Sequence, residues 1–350
     1  MRTTRDFIMK TLTIKGSTGI SKLLVGESIK NAGKYLPDCR IIIITDTVVE
    51  KLYADVFPPG RIITLGTGEK IKTLDTVKSI FGQLIKMGAD RSNFILGIGG
   101  GIVCDITGFI AATFMRGVRF GFVSTTLLAQ VDASVGGKNG VNFEGYKNMV
   151  GVFSQPEFVI CDMELLQTLD AGEVCCGMAE IVKHAAIADA QMFAYLEQNA
   201  QRALNLDPEV IEKLVSDSVV IKSSVVNRDE KESGERRKLN FGHTVGHAIE
   251  KIRGIPHGEA VSAGMAVAAA ISWKKGLLSG EDVERLTALL GSLGLPTGVD
   301  ADPDKIVEAF EKDKKREKDG IHFVLLDAIG SCVIEEISIA EIGDFVRLLV

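Results

Sequence analysis

Three of the five histidines in this chain, His243, His247 and His257, fall within one window, "LNFGHTVGHAIEKIRGIPHGEA", residues 239–260. Imidazole is the commonest metal ligand, and histidines four apart lie on one face of a helix, so His243 and His247 can grip one ion. The window lacks H-E-x-x-H, because Thr244, Val245 and Gly246 separate the pair and no general-base glutamate lies between them. A third ligand must come from elsewhere, with Glu180 in "GMAEIVKHAAI" and His257 in "IPHGEA" as the candidates. Histidine with carboxylate suits Zn²⁺, and a catalytic zinc keeps one coordination position open for substrate. His184 and His322 lack such company and are read as non-ligands.

Two further windows carry chemistry of a different kind. "LGIGGGIVCDITGF" places Gly97, Gly99, Gly100 and Gly101 after an apolar run and before a helical pattern. Glycine there lets backbone approach a pyrophosphate and leaves helix N–H groups to donate to it, although Ile102 occupies the third glycine of the strict fingerprint. Asp46, closing the earlier run "IIIITD", can hold a ribose hydroxyl or simply cap a turn. "SVGGKNGVNFEGYKNMVG" sets Lys138 in a glycine-rich loop, with Lys147 and Asn148 close behind. Lysine holds phosphate as a point charge and an amide adds direction. An ion pair between Lys138 and Asp132 is the structural alternative.

These windows need elements to hold them. Short β-branched runs at residues 40–46, 61–66, 93–100, 119–126 and 157–163 alternate with helical patterns such as "LDTVKSIFGQLIKMG", the signature of βαβ units and a parallel sheet. Beyond about residue 165 the period changes. "GEVCCGMAEIVKHAAIAD", "PEVIEKLVSDSVVIKSSVVNRD", "GHTVGHAIEKI", "GEAVSAGMAVAAAISWKKG" and "SGEDVERLTALLGSLG" all read as helices. A hairpin and a terminal helix are expected from "GIHFVLLDAIGSCVIEEIS" onward. The expectation is an α/β fold, with an N-terminal parallel-sheet domain at 1–165 and a mainly helical domain at 166–350.

Composition narrows the function. The chain has 350 residues, 46% hydrophobic and 25% charged, enough to bury two cores. A net charge of −6 gives no electrostatic footprint for nucleic acid. Six scattered cysteines without C-x-x-C spacing suggest buried thiols in a reducing cytoplasm. The start "MRTTRDFIMK" has no apolar segment with a cleavage site, and Met9 is a second candidate start. The most lipid-like stretch, residues 94–115, is interrupted by Asp105 and five glycines, against a membrane span.

The windows together resemble the 3-dehydroquinate synthase family of sugar phosphate cyclases. The resemblance is carried by "GEKIK" (68–72), "GGGIVCDITGFIAATFMRG" (99–117), "STTLLAQVDASVGGKNGVN" (124–142), "YKNMVG" (146–151), "GMAEIVKHA" (177–185), "RRKLNFGHTVGHAIE" (236–250) and "PHGEAVSAGM" (256–265). It runs from about residue 40 to 330, in order.

The resemblance implies a Rossmann-like NAD⁺-binding domain, a helical domain carrying Zn²⁺ or Co²⁺, an active site in the cleft between them, and a homodimer acting on a small sugar phosphate. Glu180, His243 and His257 match the metal ligands, leaving His247 in the substrate pocket. Asp46, Glu69, Lys72, the stretch Gly101, Ile102, Val103, Cys104 and Asp105, and also Thr125, Thr126, Lys138, Lys147 and Thr168 match the cofactor site. Asp132, Lys138, Asn148, Lys147, Lys183, Lys222, Arg236 and Asn240 match positions around substrate. Lys315, or its neighbour Lys314, matches a phosphate contact, and Arg116 matches an arginine that reaches the phosphate from the other subunit. Asn139 stands where the family frequently has threonine. The implied reaction turns 3-deoxy-D-arabino-heptulosonate 7-phosphate into 3-dehydroquinate and phosphate, a carbon–oxygen lyase step of aromatic amino acid biosynthesis. Other sugar phosphate cyclases share most of these motifs. A metal-dependent polyol dehydrogenase shares the glycine turn, but has no use for the lysine and asparagine cluster. A nucleotide-binding protein without chemistry has no use for the full ligand set.

Overall fold

A computed structural model of the chain describes residue 7 and residues 9–298, 302–314 and 320–349. It divides into two compact units, Met1–Leu169 with Ile211–Glu230, and Asp170–Val210 with Lys231–Val350. Among the described residues, no helix is long and apolar enough to cross a membrane.

The first unit runs β1 (Lys10–Gly16), β2 (Gly19–Val25), β3 (Ile41–Asp46), α1 (Thr47–Tyr53), β4 (Arg61–Leu65), α2 (Leu74–Lys86), β5 (Phe94–Gly99), α3 (Gly101–Thr113), β6 (Arg119–Ser124), β7 (Lys138–Phe143), β8 (Tyr146–Phe153) and β9 (Phe158–Cys161). Seven strands form one sheet in the order β1-β2-β9-β6-β5-β3-β4. Only the β1–β2 pair is antiparallel. Parallel strands covered on both faces read as unbroken apolar runs. Leu24, Ile43, Phe94, Leu96, Ile98, Phe158 and Ile160 form a core on one face, and the alternating Ile42, Ile44 and Ile95 are equally buried on the other. All five runs picked out in the sequence are strands of this sheet.

Two hairpins were not legible in that reading. β1 and β2 pair from Lys10↔Val25 to Gly16↔Gly19 and add an edge. β7 and β8 form a separate two-stranded sheet where a glycine-rich loop was expected, so Lys138 opens a strand. The glycines there serve a close strand pair. A Cβ on Gly140 would lie 3.0 Å from the Val150 carbonyl oxygen, and one on Gly151 would lie 2.7 Å from that of Asn139.

The second unit is mainly helical: α4 (Ala171–Ala188), α5 (Ala190–Leu204), α7 (His243–Arg253), α8 (His257–Lys274), α9 (Gly280–Ser292), α10 (Pro303–Lys314), the β10 (Ile321–Ala328) and β11 (Ser331–Ile337) hairpin, and α11 (Ile339–Leu349). The long α6 (Pro208–Arg228) begins here and belongs to the first unit from Ile211 onward. Most of α4 and α8 is buried. Asp170 starts α4 by accepting from Glu173 N–H, as an N-cap aspartate does. Gly254, in the left-handed region at φ 64°, stops α7, and Pro256 directly precedes α8. The short turn between them sets His257 beside the end of α7.

Candidate metal and cofactor sites

In the second unit, three helices each deliver one candidate ligand. α4 supplies Glu180, completely buried, while His243 and His257 are the first residues of α7 and α8. The ligand atoms of the three lie within 4.8 Å of one another. His243 Nε2 and His257 Nε2 stand 3.5 and 3.6 Å from Glu180 Oε1. Ligand atoms about 2.1 Å from a tetrahedral ion lie about 3.4 Å apart, so the donor set and its spacing fit zinc. Behind the ligands, His243 Nδ1 lies 3.2 Å from the Phe241 carbonyl oxygen, and His257 Nδ1 lies 3.5 Å from Glu250 Oε2.

The helix crossings holding these residues are backbone to backbone. A Cβ on Gly264 of α8 would sit 2.0 Å from the Gly242 carbonyl oxygen, and one on Gly258 would sit 2.4 Å from Cys176 Cα. Only glycine fits at either crossing.

Electrostatics separates the two histidines. Burial and the nearby Lys183 ammonium push His243 down to about 3, which keeps the ring in its neutral, ligating form. Burial also works against a charge on His257, but Glu180 and Glu250 outweigh it and lift that ring to about 9. Lys183, three residues after Glu180 and equally buried, forms an ion pair with it. His247 is exposed, its ring 5.3 Å from that of His243 and nearly perpendicular to it. It falls into a second grouping, with Glu250 and His257. The four-residue spacing therefore reports a shared helix face, while the grouping around Glu180 takes His257 in place of His247.

Arg236 is buried, and Asn240 donates to Glu232 Oε1 at 2.5 Å. Glu232, with left-handed backbone at φ 61°, escaped the sequence reading, as did Glu250. Glu232 carries no spacing signal, whereas Glu250, seven residues after His243 and three after His247, carries a helical one that could have found it.

In the first unit, chain order reverses beside β3, where β4 lies on one side and β5 on the other. Such a switch point is where open α/β sheets bind nucleotides. Asp46 ends β3, and Gly99 ends β5. Asp46 Oδ1 accepts from Val48 and Val49 N–H at 2.9 and 3.0 Å, so the carboxylate caps α1. α3 begins after Gly100 with no side-chain cap, presenting N–H groups at the switch point. Gly101 to Asp105 form its first turn, with Val103 and Cys104 buried and burial raising the Cys104 thiol. Thr125 Oγ1 is buried without a hydrogen-bond partner, while Thr126 Oγ1 accepts from Ala129 N–H at 3.2 Å. Uncapped donors and a buried hydroxyl at a switch point fit a dinucleotide.

Around this turn the remaining residues are linked. Lys72 Nζ pairs with Asp105, whose carboxyl is raised by burial, and donates to Asn148 Oδ1 at 2.6 Å. Asn142, missed in the sequence, is the hub that ties this group together. It donates to Glu69 at 2.7 Å and to the Lys72 carbonyl at 2.8 Å, and accepts from Asn148 N–H at 2.9 Å. Lys147 lies 3.9 Å from Glu69. Lys222 Nζ reaches both Asp132 Oδ1 and its carbonyl oxygen at 2.6 Å. Thr168 hydroxyl bonds Tyr53 hydroxyl at 2.6 Å. Asn139 is buried and donates to the Gly137 and Ser154 carbonyls at 2.9 Å, so its side chain holds the hairpin. Arg116 is exposed on a corner where Met115, Arg116 and Gly117 all have positive φ. Lys315 lies outside the described residues, and Lys314 is the last described residue of α10.

Comparison with known proteins agrees with both units. The family description "3-dehydroquinate synthase N-terminal" matches residues 62–176, and "3-dehydroquinate synthase C-terminal" matches residues 177–316. A 3-dehydroquinate synthase of Dehalococcoides mccartyi is 41% identical over 344 residues, 94% of this chain and 96% of its own. Among solved structures, 2-deoxy-scyllo-inosose synthase complexed with carbaglucose-6-phosphate, NAD⁺ and Co²⁺ matches with TM-score 0.87 at 28% identity, covering 97% of this chain and all of its own. The 2-epi-5-epi-valiolone synthase of Streptomyces hygroscopicus, with NAD⁺ and Zn²⁺ bound, has the same TM-score at 26% identity, covering 96% of this chain and 97% of its own.

Proposed function

The chain belongs to the 3-dehydroquinate synthase family, and from that membership we propose that it converts 3-deoxy-D-arabino-heptulosonate 7-phosphate to 3-dehydroquinate and phosphate. The observation carrying this reading is the agreement of near full-length kinship with the Glu180, His243 and His257 cluster. The solved relatives named for other cyclisations are more distant, at 26 to 28% identity against 41%. That difference favours the dehydroquinate reaction over another sugar phosphate cyclisation. Their NAD⁺ and Zn²⁺ or Co²⁺ support the same cofactors here.

Bound NAD⁺ supplies a transient oxidation and later re-reduction at C5, and bound zinc polarises the oxygen there. Glu180, His243 and His257 would hold the metal. The N–H groups opening α3, with Asp46, Glu69, Lys72, Asp105, Thr125, Thr126, Lys138, Lys147 and Thr168, hold the cofactor. Lys183, Lys222, Arg236, Asn240, His247, Asp132, Lys138 and Asn148 bind the sugar hydroxyls and phosphate. Cationic and amide groups suit an anion that must be held and then released. Oxidation acidifies the C6 proton. Phosphate leaves C7 by β-elimination as the C6 proton is removed, and the acceptor of that proton is either a side chain of the site or the phosphate itself. The enol product then opens and closes as a carbocycle.

Arg116 acts from the partner subunit in a homodimer, a reading supported by its exposure on a strained corner. Six thiols without a disulfide support a reducing compartment, the cytoplasm. The test follows phosphate and NADH together in purified protein given the heptulosonate phosphate, NAD⁺ and Zn²⁺. Phosphate and dehydroquinate should appear without accumulating NADH, and a chelator should stop both. Steady NADH formation without phosphate release refutes the proposal and favours a polyol dehydrogenase.

A further inference from the structure

We infer that Glu250 is a positioning residue for the metal, accepting the Nδ1 proton of His257 and so fixing the ring with Nε2 turned to the ion. The inference rests on the reading of Glu180, His243 and His257 as the metal ligands. A neutral imidazole has one N–H and one lone pair, so committing Nε2 to a metal places the proton on Nδ1. That proton needs an acceptor, and for His257 the Glu250 carboxylate stands 3.5 Å away. His243 meets the same need with the Phe241 carbonyl at 3.2 Å. The two histidines therefore differ in kind: one is backed by a neutral carbonyl, the other by an anion. A carboxylate behind a ligating imidazole orients it and raises its basicity.

The placement of Glu250 is structural rather than incidental. It lies seven residues after His243, on the same face of α7, and is 7% exposed. A carboxylate so buried requires polar partners. α7 thus carries one ligand at its start and the outer partner of another ligand near its end. The close glycine crossing of α7 and α8 keeps that partner in register with His257.

A rival role exists for the same side chain, because His247, Glu250 and His257 also form a three-residue group able to hold an ion themselves. Metal binding separates the two. Zinc affinity is measured by chelator competition on the full-length chain, its Glu250→Gln and Glu250→Leu variants, with bound metal counted at saturation and the visible spectrum of the Co²⁺ form recorded. Glu250→Leu should weaken zinc about 10 to 100-fold. Glu250→Gln keeps an acceptor oxygen and the shape, so it should recover part of that loss while shifting the Co²⁺ bands. Every form should saturate at one ion per chain. Affinities of both variants within twofold of the parent overturn the inference, as does a second ion in the parent that Glu250→Gln abolishes. If the parent itself takes up no zinc, the ligand set falls along with this inference; if the parent binds and the variants match it, only this inference falls.

Discussion

Replacing Gly258 with alanine should empty the metal site while leaving the second unit folded. α4 and α8 meet there, and an added Cβ would lie 2.4 Å from Cys176 Cα and 2.9 Å from its carbonyl oxygen. Carbon atoms in ordinary contact stay about 3.5 Å apart, so the two helices must separate by about 1 Å. Backbone cannot swing aside as a side-chain tip can. Gly258 directly follows His257, and Cys176 precedes Glu180 by about one turn, so the shift falls on these two ligands. Zinc–nitrogen bonds of about 2.0 to 2.1 Å tolerate changes of about 0.2 Å, far less than the displacement imposed. The packing cost itself is about 1 to 3 kcal/mol, against a typical stability of about 5 to 15 kcal/mol, so the unit should stay folded. Zinc content after dialysis against buffered free zinc, with the far-ultraviolet circular dichroism melt, reads both quantities. Gly82→Ala is the control: its Cβ in α2 meets nothing within 4 Å. It should leave zinc content unchanged and add about 0.5 to 1 kcal/mol of stability. A folded Gly258→Ala protein that binds zinc as tightly as the parent would refute the claim that this crossing sets the ligand spacing.

Two further outcomes are expected. His247→Ala should keep near-stoichiometric zinc while losing turnover, whereas His257→Ala should lose the metal; equal loss in both, measured by metal analysis, would reverse the assignment. The second concerns pH. Burial alone would raise the Glu27 carboxyl, but Tyr35 hydroxyl, Asn31 amide and Ser28 N–H donate to it and hold it below its ordinary value. A carboxyl lowered in the folded state contributes stability above its unfolded pKa of about 4.3, and that contribution disappears as pH falls through the folded value. The stability gap between parent and Glu27→Gln should therefore be constant from pH 6 to 8 and shrink below about pH 4. A gap that widens in acid, by urea unfolding, would contradict the hydrogen-bond network.

The inner strands β3, β5, β6 and β9 were readable in advance because parallel strands covered on both faces are apolar at nearly every position, as in "IIIITD" and "NFILGIGG", and the edge strand β4 by its β-branched run. Helices such as α2 were readable for the complementary reason that one buried face imposes a period near 3.6 residues, while α4 and α8, buried on most sides, were readable from their length and bounding residues. β7 and β8 were hidden because their glycines, Gly140 and Gly151, answer a neighbouring backbone and so look like loop composition. β1 and β2 carry weaker alternation, and the pairing of β2 with β9, which joins their hairpin to the sheet, depends on residues far along the chain.

The sequence by itself determined the inventory: which residues can ligate a metal, which turn can meet a phosphate, and which segments are strand or helix. These follow from local chemistry and periodicity. Tertiary structure alone decided the groupings. Strand order created the switch point between Asp46 and Gly99, and helix crossings at Gly258 and Gly264 brought Glu180 beside His243 and His257. His247, four residues from His243, shares its helix face yet falls in a different group, because spacing along one helix cannot tell what a neighbouring helix will bring to that face.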